Sequence, residues 1–203
     1  MAGFEYQNDL TGGSLMVRES RVVAELLLKG VSDEEWLEAI QVENVLQKKS
    51  PASAKRNART IRLRLEDLEP EFWKALRDGD DELATQVSFC AALERNPLLM
   101  EFMESVLQDA YATHSEALDY YQWTDFLSDC ANKDPSIHDW KESSKKKMGQ
   151  VVFRMLAEMG FLNNTRSFKL QTVRIRPEVK MLLDDHYKHR IKLCMEVSTR
   201  GGR

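Results

Sequence analysis

From Ser50 to Leu68 the chain reads SPASAKRNARTIRLRLEDL, and its apolar residues recur at Ala54, Ala58, Ile61, Leu65 and Leu68. A helix brings that spacing onto one face, and in doing so fans Lys55, Arg56, Arg59 and Arg62 across the solvent side. Any fold of this chain must therefore bury one flank of the helix and leave a cationic flank outside. Ser50 followed by Pro51 reads as an N-cap and first helical residue, with Ser53 as an alternative cap. Five basic residues and no acid lie between Ser53 and Leu65, whereas a helix dipole favours acids in the first turn. Stability does not explain that placement. A positive helix end beside Lys55, Arg56 and Arg59 suits an anion, and helix-turn-helix proteins lay such a helix into a duplex groove. A solvated basic face would produce the same letters.

The charge along the chain is segregated. Residues 1–65 sum to +1, residues 66–139 to −14 and residues 140–203 to +9, within a net charge of −4. Local fields of this kind steer charged partners more than the overall sum does. At 203 residues, with 42% hydrophobic and 31% charged content, the chain has enough material for one large or two small cores. The longest apolar runs are too short to span a bilayer and no basic-then-apolar leader follows Met1, which predicts a cytoplasmic chain with no membrane partner. Cys90, Cys130 and Cys194 are odd in number and far apart, so they predict buried or incidental thiols in place of a disulfide framework.

Periodicity and punctuation divide the chain into helices. Residues 1–13 read as an arm or loop. Ser14 is placed to cap a helix to about Leu28, with Val23, Leu26 and Leu27 inward and Gly30 as its stop. Ser32 and Glu35 form a capping box for a helix carrying Trp36, Leu37 and Ile40. The basic helix follows, completing a helix-turn-helix pattern that a generic three-helix bundle would share. Residues 70–114 are acidic and helical, punctuated by Asp78-Gly79-Asp80 and Asn96-Pro97, and read as connecting architecture. Asp78, Asp80, Asp81 and Glu82 lack the spacing of a calcium loop and read as a solvated acidic turn.

A further unit opens near Ser115. Its long helix, capped by Ser143 and ended by Gly160, turns Met148, Val151, Val152, Met155 and Met159 inward. Ser143, Lys147, Gln150 and Arg154 line the opposite side, with Lys146 beside them. Phe161-Leu162 and Thr172 to Ile175 then read as two strands joined by a polar loop bearing Arg166 and Lys169, a β-wing behind a recognition helix. Pro177 opens a helix to about Asp185, and residues 189–203 read as a frayed basic tail.

The residues nominate no catalytic centre. No phosphate-binding loop, GxSxG or HExxH is present, and no cofactor is called for. His186 and His189 share a helical face, but no second pair of metal ligands has a recognisable spacing. Trp36, Trp73, Trp123 and Trp140 fall at helical core positions and read as anchors of packing, not as stacking platforms.

A resemblance joins these readings. Asp9 to Leu28 (DLTGGSLMVRESRVVAELLL), Trp36, Glu43-Asn44-Val45-Leu46-Gln47, Ser50, Ser53-Ala54 with Arg56, and Arg59 to Leu65 resemble the BrxA proteins of BREX phage-defence systems. Gln86, Trp123, Trp140, Ser143 and Glu158 to Leu162 fit the same pattern. The resemblance implies a small accessory component, encoded beside a methyltransferase, an ATPase and a phosphatase-like protein. It further implies a helical structure with winged-helix units and binding of double-stranded DNA. BrxA-like proteins have also been labelled NusB-like, which implies RNA binding, and inner-membrane proteins, which the hydropathy opposes.

The expectation is a mainly α-helical chain with two helix-turn-helix or winged-helix-like units and one short β-hairpin wing. Its parts are an N-terminal unit (1–69), an acidic connector (70–114) and a C-terminal winged unit with a basic tail (115–203). It is expected to be a non-catalytic, metal-free binder of double-stranded DNA working beside other BREX proteins, with RNA binding or protein scaffolding as alternatives. The expected nucleic-acid contacts are Ser53, Lys55, Arg56, Arg59, Arg62, Ser143, Lys146, Lys147, Gln150, Arg154, Arg166 and Lys169. The oligomeric state is not legible in the residues.

Overall fold

In a computed structural model of the chain, residues 5–200 are described. Twelve α-helical segments occur among them: α1 (Val17–Lys29), α2 (Asp33–Leu37), α3 (Pro51–Leu65), α4 (Pro70–Asp78), α5 (Asp81–Arg95), α6 (Pro97–Phe102), α7 (Gln108–Ala112), α8 (Tyr121–Ala131), α9 (Glu142–Met159), α10 (Pro177–Asp185), α11 (His189–Met195) and α12 (Val197–Arg200). Leu10–Gly12 and Pro135–Asp139 are 3-10 turns, and Glu38–Val42 and Met103–Leu107 are π-helical. None of these helices is long and apolar enough to cross a membrane.

The helices gather into two compact units. The first comprises Leu15–Arg95 with Arg176–Lys188, and the second the residues up to Ser14, Asn96–Ile175 and the residues from His189 onward. The composition-based boundaries at 69/70 and 114/115 fall inside these units, because the acidic stretch supplies core helices to both. Summed over the units, 16 basic and 19 acidic residues give −3, and 13 and 14 give −1. The charge polarity along the chain is thus largely mixed away by folding.

In the first unit α5 is the central helix. Leu83, Ala84, Val87, Phe89, Cys90, Ala91, Ala92 and Leu93 are all buried, which is the signature of a helix enclosed on every side. Helices α1, α3, α4 and α10 pack around it. The acidic turn before α5 is structural. Arg21 donates to the carbonyls of Leu76, Arg77 and Gly79 at 3.2, 3.0 and 2.7 Å, and to Asp81 at 3.1 Å, satisfying oxygens at the end of α4. Arg176 reaches Asp80 at 2.8 Å and Glu178 at 2.8 Å, while its backbone N–H donates to the buried Gln86 at 2.9 Å. The Leu83 amide, and then Arg176, hold the Asp80 carboxyl below the usual carboxylate range.

Local signals hold where they are chemically specific. The Ser32–Glu35 capping box forms, Ser50 caps α3 by accepting from the Ser53 N–H at 3.3 Å, and Gly30 ends α1 at φ 62°. They fail at Ser14, since α1 begins after Met16 in a left-handed conformation without a side-chain cap, and at Ser143, which lies inside a helix flanked by Lys141. Leu37, expected inward, is exposed. Here the helix passes into wider π turns at Glu38–Val42, where Ile40 is buried as expected and Ala39 joins it in place of Leu37.

The second unit is built on aromatic contacts. Phe102 lies 5.6 Å from Trp123, 5.3 Å from Phe126 and 6.0 Å from Phe153, ring centre to ring centre. Helices α8 and α9 meet at Gly149, where Trp123 Nε1 donates to the Lys145 carbonyl at 2.9 Å and the Tyr120 hydroxyl to the Lys146 carbonyl at 2.8 Å. The N-terminal arm is pinned as well. The buried Asp134 accepts from the Tyr6 N–H at 2.7 Å, and Leu10 is buried. The expected frayed tail is ordered up to residue 200: α11 buries Ile191, Cys194 and Met195, and Arg190 forks onto Glu104 at 2.6 and 2.7 Å. Residues 201–203 lie outside the described residues.

The expected β-hairpin wing, and with it support for the winged-helix units, is not found among the described residues. No strand occurs among the described residues, and residues 161–175 retain two isolated bridges, Ala117 with Lys169 and Leu162 with Leu170. Asparagine chemistry explains the difference. Asn164 Oδ1 accepts from the Arg166 and Ser167 amides at 2.8 and 3.0 Å, and Asn163 Oδ1 from the Lys169 amide at 3.1 Å. These donors are thereby withdrawn from a ladder. The intended second strand turns elsewhere, with the Val173 N–H donating to Ser198 Oγ at 3.0 Å.

Two outcomes follow from these contacts. A β-carbon at Gly149 would lie 2.5 Å from Trp123 Cδ1 and 2.7 Å from the Tyr120 hydroxyl oxygen. Gly149→Ala should therefore lower stability by about 1–3 kcal/mol through overpacking, read as a lowered denaturation midpoint. Asp78, Asp80 and Glu178 have folded pKa values held down mainly by Arg77, the Leu83 amide and Arg176, respectively. Their stabilisation is complete above the unfolded carboxylate values near 4 and is lost as pH falls through the depressed folded ones. Thermal melts from pH 7 to 2 should show stability falling below about pH 4, and Arg176→Ala should flatten that fall.

Candidate nucleic-acid interface

The first candidate surface is on α3. Ala54, Ala58, Ile61 and Leu65 are buried on its inner face, and the unforeseen Arg64 is buried with them. Lys55, Arg56 and Arg59 are exposed and have no ion-pair partner among the described residues, and Ser53 is half-buried beneath them. Arg62 is different. Its Nε donates to Glu66 at 2.6 Å, its Nη1 lies 3.8 Å from Asp33, and its guanidinium stacks 4.8 Å above the Trp36 ring. That charge is engaged within the unit, which leaves three of the four expected cations free.

The loop entering α3 is held firmly. Asn44, at φ 50°, brackets Lys48 with two hydrogen bonds of 2.8 and 2.9 Å, and Arg18 donates to the Leu46 carbonyl at 3.1 Å. Lys48 pairs with Glu19 at 2.6 Å. Burial pushes the Glu19 carboxyl up, but the hydrogen bond and charge of Lys48 outweigh it and hold it below the usual range. The start of the basic helix is thus fixed against α1.

The second surface is on α9. Met148, Val151, Val152, Met155 and Met159 are buried as expected, and Ser143, Lys146, Lys147, Gln150 and Arg154 are exposed. Lys146, Lys147 and Arg154 have no ion-pair partner among the described residues, whereas the neighbouring Lys145 is tied to Glu142 at 2.8 Å. Arg166 and Lys169 are exposed on the asparagine-held loop in place of a wing. Lys146, Gln150 and Arg154 also border a cavity of about 490 Å³ with Tyr120, Phe153 and Phe168. Ser143 and Lys146 border another of about 430 Å³, with Trp123 and His138.

Sequence periodicity missed those cavities, because Tyr120 and Phe168 come from outside the helix that carries the cations. The available signal was Phe168, an aromatic residue between Ser167 and Lys169 in a polar stretch. Of the tryptophans, Trp123 is fully enclosed, while Trp36, Trp73 and Trp140 are half-buried. The three cysteines are free and buried, and burial pushes the Cys130 thiol to about 11 and that of Cys194 to about 12. No group of three or more metal-ligating side chains is assembled among the described residues.

The comparisons with known proteins agree with one another. The sequence matches the BrxA family over residues 4–187. A BREX protein BrxA from Paramagnetospirillum magneticum (strain ATCC 700264 / AMB-1) is 38% identical over 198 residues, covering 98% of this chain and 100% of the relative. One from Escherichia coli O9:H4 (strain HS) is 37% identical over 175 residues, covering 86% and 82%. The crystal structure of an uncharacterized protein from Magnetospirillum magneticum has a TM-score of 0.88 at 36% identity, covering 95% of this chain and 99% of that one. The chain belongs to the BrxA family of BREX phage-defence systems.

Proposed function

We propose that the chain serves phage defence as a non-catalytic, cytoplasmic component that binds double-stranded DNA chiefly through its phosphates. The observation that carries this reading is the pair of helices, α3 and α9, each burying one flank and turning out cations without partners: Lys55, Arg56 and Arg59 on one, Lys146, Lys147 and Arg154 on the other. Away from these faces arginines are consumed by carboxylates, as at Arg21, Arg77, Arg176 and Arg190, and on α3 itself Arg62 is tied to Glu66. Leaving long cations unpaired on two rigid helices gains nothing for folding, so a polyanion is the natural occupant. In this reading α3 enters the major groove as the recognition helix of a helix-turn-helix does, and the second unit makes phosphate contacts of its own through α9, Arg166 and Lys169.

Duplex DNA is favoured over RNA on shape. The B-form major groove admits a helix, whereas the A-form groove is deep and narrow. A single-strand track would require a row of exposed aromatics beside the cations, and none lies along α3. BREX partner proteins would then dock on other surfaces.

Lys55→Glu with Arg59→Glu should weaken duplex binding at least tenfold while shifting stability by no more than about 0.5 kcal/mol, as exposed, unpaired positions do. Arg62→Glu should destabilise the first unit instead, because it breaks the Glu66 pair and the Trp36 stack. Anisotropy titrations alongside thermal melts separate the two, and an unfolded double mutant would count against α3 as a surface.

Titrating duplex DNA, single strands and hairpin RNA at matched salt tests the reading as a whole. Duplex should bind tightest, with a log-log salt slope of about −4 to −7 if about five to eight phosphates are neutralised. Tighter binding of RNA would replace this proposal with an RNA-binding one.

A further inference from the structure

The cavity of about 490 Å³ beside α9 has a composition unlike the rest of the surface. Its walls are Tyr120, Phe153 and Phe168, its mouth carries Lys146, Gln150, Arg154 and Thr165, and no carboxylate lines it. The size is that of a site for a small organic ligand. The aromatic wall is continuous: Tyr120 and Phe153 lie 5.6 Å apart at 30°, and Phe153 and Phe168 4.5 Å apart at 47°. Because the Tyr120 hydroxyl is spent on the Lys146 carbonyl at 2.8 Å, that side chain offers the cavity its ring.

Phe168 is placed there at some cost. Its φ of 50° lies in the left-handed region, which bulky residues seldom occupy, and it is held by the Leu118 N–H on its carbonyl at 3.0 Å. The residue is nonetheless half-buried, so the cavity keeps an aromatic surface at its edge. At the mouth, Lys146, Gln150 and Arg154 follow one another every fourth residue, placing the two cations about 12 Å apart along the helix with an amide between them. Neither cation has an ion-pair partner among the described residues. The amide offers both a donor and an acceptor, which is what the edge of a nucleobase requires.

An aromatic wall for a π-face, an amide for a hydrogen-bonding edge, two cations for phosphate and the lack of any acid converge on one ligand chemistry. We propose that this cavity receives a single nucleotide of the bound DNA whose base has left the stack. The base lies against Phe168, Gln150 meets its edge, and Lys146 and Arg154 hold the flanking phosphates. The inference rests on the DNA-binding reading and deepens it: the protein would favour duplexes in which a base is already loosened, since unpairing costs least there.

The test compares a fully paired duplex with the same duplex carrying one mismatched pair, by anisotropy at fixed salt. The full chain should bind the mismatched duplex about tenfold more tightly, in line with base–aromatic stacking. Phe168→Leu, which keeps apolar bulk but removes the π-face, should abolish that preference while leaving paired-duplex affinity within about twofold, and Phe168→Tyr should retain it. Thermal melts confirm that each variant is folded. Equal affinity of the wild type for both duplexes, or a preference that survives Phe168→Leu, would overturn the inference and leave the DNA-binding function intact. If neither duplex binds, the DNA-binding function falls. Titration with deoxyadenosine monophosphate by NMR then decides the cavity: shifts centred on Lys146, Gln150, Arg154 and Phe168 sustain a nucleotide site, and their absence overturns it.

Discussion

The near contact of α8 with α9 at Gly149 is the constraint on which the second unit depends. Without a side chain there, Trp123 and Tyr120 reach the α9 backbone and donate to the carbonyls of Lys145 and Lys146. This fixes the helix along its buried face, where Gly149, Val152 and Phe153 lie and where Trp123 joins the Phe102 cluster. A flexible row of lysines would lose conformational entropy on meeting a polyanion. Here the backbone bearing Lys146, Lys147 and Arg154 is helical and tied to α8 by the Lys145 and Lys146 carbonyls, so less backbone freedom is lost when those cations find phosphates.

The first unit reaches rigidity by another route. Its central helix α5 is enclosed all round, and its ends are tied by basic side chains to carboxylates and carbonyls: Arg21 to the close of α4 and Asp81, Arg176 to Asp80 and Glu178, Lys188 to Glu94 at 2.7 Å. Exposed pairs of this kind contribute little singly. Arg21 differs, because it satisfies helix-end carbonyls that would otherwise lack partners. The acidic stretch thus serves as the counter-charge of the unit's own arginines, and the cations left over on α3 are the ones that stand out. Local charge balance is therefore a better guide to an interface than charge counted along the chain.

The loop after α9 shows how one residue type redirects a fold. Two apolar segments flanking a polar loop are the ordinary description of a hairpin. Asn163 and Asn164 instead collect the loop amides, and the chain leaves for Ser198. What remains is a compact basic loop with Phe168 held inward against Phe153. Arg166 and Lys169 still face outward, so the cations expected of a wing are present without its strands.

Much of this was legible in the residues alone. Apolar periodicity located the buried faces of α3 and α9 and the cations opposite them. Ser32 with Glu35, Ser50 with Pro51, Gly30 and Pro177 marked helix ends, because capping is a contact between neighbours in sequence. The motifs that resemble BrxA identified the family. Contacts between distant segments were not legible: the central place of α5, the assignment of residues 176–188 to the first unit, the ordered tail on Glu104, and the capture of Arg62 by Trp36 and Glu66. The cavity of Tyr120, Phe153 and Phe168 belongs with these. Periodicity reports which face of one helix is apolar, but not which other face will cover it. That choice is made by side-chain shape and partner charge across the folded chain, and so only the tertiary structure decided which cations remained free.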